Sequence, residues 1–94
     1  MLFSVHALDT PNSASKRQAV HAEHVAHLKT AKDQGVTITV GGPLVADDGK
    51  TSIGSLMVIE AADRATVEKF NRADPFHKNG VWDKVEIRRF DRKE

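Results

Sequence analysis

Hydrophobic positions alternate with polar ones in several short stretches of the chain and recur every three or four residues in two others. The first alternating stretch, Leu2 to Leu8, sets Phe3, Val5 and Ala7 against Ser4 and His6, the pattern of a strand with one face on a core. Asp9-Thr10-Pro11-Asn12-Ser13 then supplies turn and capping chemistry. From Ala14 to Gln34 the chain has no glycine or proline and much Ala, Lys, Gln and Glu. That predicts a long helix, begun by Asn12 or Ser13 and stopped by Gly35. Its inward stripe reads His21, His24, Val25, Leu28 and Ala31, unusually polar in its N-terminal half.

Val36-Thr37-Ile38-Thr39-Val40 alternates strictly, with Val36, Ile38 and Val40 expected on one apolar face and Gly41-Gly42-Pro43 ending the strand. A polar turn at Asp47-Asp48-Gly49-Lys50 leads into a third strand from Ser52 to Glu60. It is apolar on both sides, with Ile53, Met57 and Ile59 on one and Leu56 and Val58 on the other. Asp63 can cap a helix from Arg64 to about Ala73 with Val67 and Phe70 inward, and Pro75 disfavours its continuation through Asp74. Val81 to Phe90 forms the last strand, with Val85 and Ile87 facing the core.

The order β-α-β-β-α-β predicts an α+β, ferredoxin-like domain over residues 1–94. Four antiparallel strands form its sheet, and both helices cover one face. The other face mixes apolar residues with Ser4, His6, Thr37 and Thr39, which suits a homodimer enclosing a ligand cleft between two sheets. A chain of 94 residues buries only about 60–65% of its unfolded surface, so association would add to a modest core.

Fourteen basic and 13 acidic side chains nearly balance, at a net charge of +1, and no basic stripe suggests nucleic acid or a charged membrane as partner. The chain has no cysteine, which excludes disulfides and thiolate chemistry. No leader-like segment or membrane-length apolar run is visible, so a cytoplasmic location is expected.

His21, His24 and His27 sit three residues apart on the first helix. Each step turns about 60° backward around the axis, so the three cannot converge on one ion, and no metal site is expected. His24, beside Val25 and one turn before Leu28, is best placed to face inward; His27 is expected on the outer face. Asp74 ends the second helix, where the dipole disfavours a carboxylate. It gains chemical meaning only beside a histidine, whose tautomer it would fix; an Asp-Pro turn needs no such role. Arg17 lies two turns before His24 on the same face and suits an anionic substrate group, though alone it reads as a surface arginine. Ser55 could line a cleft. Gly41-Gly42-Pro43 fits no phosphate-loop pattern and no cofactor is expected. Trp82, the single tryptophan, suits the core or a dimer seam.

Arg17, His24-Val25-x-x-Leu28, Gly35, Gly41-Gly42-Pro43-Leu44, Gly54-Ser55 and Asp74-Pro75-Phe76 with Gly80-Val81, in that order, resemble the YCII-related family. The resemblance runs over almost the whole chain and implies a dimeric α+β barrel, similar to muconolactone isomerases and small monooxygenases. It also implies a histidine–aspartate pair at His24 and Asp74. The family pattern has arginine at the position of His21, so the pocket charge differs here. The leading expectation is cofactor-independent lyase or isomerase chemistry on a small polar or aromatic molecule, with His24 as acid or base and Arg17 and Ser55 holding the ligand, because proton transfer needs no cofactor and the chain shows no site for one. A non-catalytic ligand-binding module and a cofactor-free oxygenase are the alternatives on the same scaffold.

Overall fold

The computed structural model describes residues 1–94. Its elements are β1 (Leu2–Asp9), α1 (Ala14–Leu28), β2 (Val36–Val45), β3 (Ser52–Ala61), α2 (Arg64–Arg72), a short α3 (Pro75–Lys78) and β4 (Trp82–Phe90). The strands form one sheet in the order β2-β3-β1-β4, antiparallel throughout. This is the ferredoxin-like arrangement. No helix is long and apolar enough to cross a membrane.

In register, Phe3 faces Ile59, Val5 faces Met57 and Ala7 faces Ser55, so the odd positions of the two central strands share one side. That side meets Val67 and Phe70 of α2 and Phe76 of α3, all fully buried. The half-buried Val85 and Ile87 extend the core along β4. The first helix behaves differently: His24 is its one buried residue, and Val20 and Leu28 reach the core only partly. The polar inward stripe thus covers something other than packed hydrocarbon.

Five sequence expectations need correction. The first helix ends at Leu28, not near Gln34, because the Thr30 hydroxyl and amide both bond the His27 carbonyl and tighten the chain into a 3₁₀ turn over Lys32–Gln34. Gly35 then ends this turn in the left-handed region at φ 76°. The second strand continues through Gly41-Gly42-Pro43 to Val45, since an edge strand tolerates the missing proline amide. It also carries a bulge: pairing passes from Ile38–Ile59 to Val40–Val58, which leaves Thr39 unpaired and turns Val40 to the open face, 60% exposed. A second irregularity, where Leu44 faces Gly54 and Val45 faces Ser52, leaves Ile53 exposed and outside the core. Finally, Pro75 starts α3 as well as barring the continuation of α2, because proline suits a first helical position.

Two local devices shape the surroundings of α1. Gly54 sits so close to β1 that an added Cβ would lie 2.2 Å from the Ala7 carbonyl oxygen, so no side chain fits. At the β2–β3 turn, Asp48 accepts from the Thr51 hydroxyl and from the amides of Thr51 and Lys50. Led by the hydroxyl, these bonds lower its pKa from 3.8 to about 2.

Candidate functional site

Asp74 is fully buried where α2 gives way to α3. Its Oδ1 accepts the Phe76 amide at 2.8 Å and so caps α3. Its two oxygens also lie 2.8 and 2.9 Å from Nδ1 of His24, which reaches over from α1. An ionised carboxylate only accepts, so Nδ1 carries the hydrogen and Nε2 keeps its lone pair. The neutral ring is thereby held in one tautomer, with the basic nitrogen pointing away from Asp74. Phe76 stacks flat on the imidazole, centroids 3.9 Å apart and planes within 6°, and Trp82 meets it edge-on at 6.2 Å. Ring position and tautomer are both fixed before any ligand arrives.

Arg17 stands two turns earlier on α1, its guanidinium 4.6 Å above the Phe76 ring. Its Nε donates to Asp9 at 2.8 Å, and its Nη2 donates to the Gly54 carbonyl and the Ser55 hydroxyl, both at 2.7 Å. Nη1 makes no hydrogen bond within the protein. Ser55 Oγ also accepts from the Trp82 indole at 3.2 Å. With two donors on its oxygen, the serine has its own hydrogen left to offer. The two groups on α1 are joined through Phe76, and Trp82 ties the imidazole to Ser55.

Between α1 and the β2–β3 hairpin lies a cavity of about 810 Å³, within the usual range for small-molecule sites. Arg17, His24 and Ser55 line it beside the apolar Val25, Ile38 and Met57. This explains the polar stripe of α1, which faces an open space. It also corrects the expected position of the site. Ser55 points to the same side as Val5 and Met57, so the residues meet on the helix-covered face within one chain, not in a cleft between two open faces.

The three helix histidines part company. His21 lines the cavity with its ring 6.4 Å from that of His24. His27, expected outside, is half-buried: it stacks on Phe70 at 4.4 Å and Nε2–H donates to the Phe70 carbonyl at 2.9 Å. The helix is covered on that flank by α2, which periodicity alone does not reveal. Sequence reasoning also missed Asp9 and Phe76. The Asp74-Pro75 step was a legible helix start, but nothing local sets Phe76 against His24. Asp9 meets Arg17 across the β1–α1 turn, a pairing that neither strand nor helix periodicity announces.

A sequence profile of the YCII-related domain matches residues 1–91. Protein YciI of Escherichia coli O6:H1 is 30% identical over 95 residues, covering 96% of both chains. A protein of Haemophilus influenzae is 28% identical over 94 residues with the same coverage. Among solved structures, 5-chloro-2-hydroxyhydroquinone dehydrochlorinase (TftG) of Burkholderia phenoliruptrix AC1100, in complex with 2,5-dihydroxybenzoquinone, superposes with a TM-score of 0.85. It is 33% identical in sequence, over 97% of this chain and 94% of that one.

Proposed function

The chain belongs to the YCII-related family, and from that premise we propose that it is a small-molecule enzyme of lyase or isomerase type, with His24 as its general acid–base group. The observation that carries this reading is the buried Asp74–His24 pair with its free Nε2 on a cavity of ligand size. In the proposed step, Nε2 takes a proton from the substrate, and the Nδ1–H bond to Asp74 stabilises the imidazolium that forms. The same nitrogen returns the proton at the neighbouring atom or to a leaving group. Arg17 Nη1 and the Ser55 hydroxyl hold substrate oxygens whose negative charge grows as the proton departs. Side chains supply proton transfer of this kind by themselves. The dehydrochlorinase complex supports an oxygenated ring as the kind of ligand to try first.

A homodimer is part of the proposal. The open sheet face leaves Leu8 and Val40 exposed and Leu56 and Val58 only half-buried, an apolar patch that a second copy would cover. The competing reading, a non-catalytic ligand-binding module, draws on the capping of α3 by Asp74, a structural task sufficient to keep an aspartate there. A turnover screen with hydroxylated aromatics, quinones and lactones separates the two. Catalysis by the wild type, reduced roughly 10²–10⁴-fold in His24→Ala, supports the enzyme; ligand binding without turnover across the panel supports the module.

A further inference from the structure

We propose that the cavity takes a small organic acid and that Lys50, at the turn of the β2–β3 hairpin, selects for it; this rests on the reading of the cavity as a small-molecule site. The lining includes Arg17, His21, His24 and Lys50, and not one aspartate or glutamate. The carboxylates bonded to these residues are already used. Both Asp9 oxygens accept from Arg17, both Asp74 oxygens face His24, and both Asp48 oxygens accept from Lys50 and Thr51. The cavity therefore offers mainly donors and cationic groups, and a ligand that brings anionic acceptor oxygens matches them.

Lys50 differs from Arg17 in one decisive way. Arg17 is already paired with Asp9, whereas Lys50 makes no ion pair and its ammonium has no hydrogen-bond partner. Its place is nonetheless defined, because Asp48 holds the backbone amides of Lys50 and Thr51 at 2.8 and 2.9 Å. The apolar walls at Val25, Ile38 and Met57 suit a hydrocarbon or aromatic body. An acid so seated presents its carboxylate to the lysine at the exposed rim, where screening makes the attraction modest and salt-dependent. The bland rival is a solvated turn lysine that ignores whatever enters the cavity.

Matched ligands decide between them. Titration with para-hydroxybenzoate and para-hydroxybenzamide, then with para-hydroxycinnamate and its amide, is followed through the single indole N–H signal of Trp82. That group bonds Ser55 inside the site. The acids should bind at least about tenfold more tightly than the amides, as expected when a charged partner is lost to a neutral one. Lys50→Gln should narrow that preference about three- to fivefold, in keeping with an exposed ion pair, and leave amide affinity unchanged. The variant alters only an exposed side chain that bonds nothing, so the fold is preserved. Equal affinity for acid and amide, an unchanged preference in Lys50→Gln, or no response to any of the four at millimolar concentration would each overturn the proposal. Binding and turnover are read separately. An acid that binds with the stated preference but is never turned over counts against catalysis by His24 and leaves the role of Lys50 standing.

Discussion

Replacing Asp74 by asparagine changes little of the shape of the site but removes the reason for its tautomer. In the native pair, two carboxylate oxygens receive the His24 Nδ1–H at 2.8 and 2.9 Å, and one of them also receives the Phe76 amide. Asparagine has a single acceptor oxygen for the same donors. If that oxygen keeps the cap on α3, its NH₂ group lies where the second oxygen was, facing Nδ1. Two donors cannot face each other at hydrogen-bond distance, so the imidazole hydrogen moves to Nε2 and Nδ1 becomes the acceptor. The energetic cost is small. Exchanging charge-assisted for neutral hydrogen bonds loses about 1–2 kcal/mol, and relief from burying a carboxylate returns part of it. A net loss of about 1 kcal/mol lowers Tm by roughly 4–8 °C in a domain of this size. Turnover should fall far more, roughly 10²–10⁴-fold, because the nitrogen facing the substrate is no longer a base. Nitrogen-15 NMR of the imidazole distinguishes protonated from bare ring nitrogens. The wild type should show a bare Nε2 and the variant a protonated one. A folded Asp74→Asn protein that keeps its hydrogen on Nδ1 would refute the reasoning.

Other consequences can be measured independently. Thr51→Val removes the largest cause of the lowered Asp48 pKa, which should rise from about 2 toward 3.8 in a carbon-13 titration. Because the folded pKa is depressed, the contribution of this turn is complete above the ordinary carboxylate range and is lost as pH falls toward about 2. Protection of the Lys50 and Thr51 amides, taken against their intrinsic exchange rates at each pH, should fall over that window in the wild type, and at higher pH in the variant. Gly54→Ala should force β1 and β3 apart against the Ala7 carbonyl and shift the Arg17 anchor, lowering Tm and moving the Trp82 indole signal; a wild-type melt would contradict the packing. Light scattering across concentrations should give a mass near twice 10.3 kDa, and a constant 10.3 kDa would remove the dimer.

Much of this architecture was legible because local and global signals agree. The alternation of Phe3, Val5 and Ala7 and the Asp63 cap each describe local structure that packing retains. What escaped depends on register and partners. The bulge at Thr39 reversed Val40, and no feature of a strictly alternating segment announces an extra residue. The outer flank of α1 held His27 because α2 packs there. At the site, Arg17, His24, Ser55 and Asp74 were all singled out from the chain, and all four belong to one connected cluster. Their setting was misplaced because a helix stripe of histidines and valines does not reveal whether it meets a core, a cavity or a second subunit. Asp9 and Phe76 went unnoticed because each acts through a contact between elements, Asp9 on Arg17 across the β1–α1 turn and Phe76 on His24 of another helix.

The central claim is that His24 moves a proton to or from a bound molecule. Incubation of a binding hydroxylated aromatic or lactone in heavy water, followed by mass spectrometry and proton NMR, reads that act directly, even where the net reaction is slow. The wild type should place deuterium at a single exchangeable carbon or in the product, and His24→Ala should slow the process by roughly 10²–10⁴-fold while still binding the compound. Equal deuterium incorporation by the two proteins, or none by the wild type with ligand bound, would contradict the account.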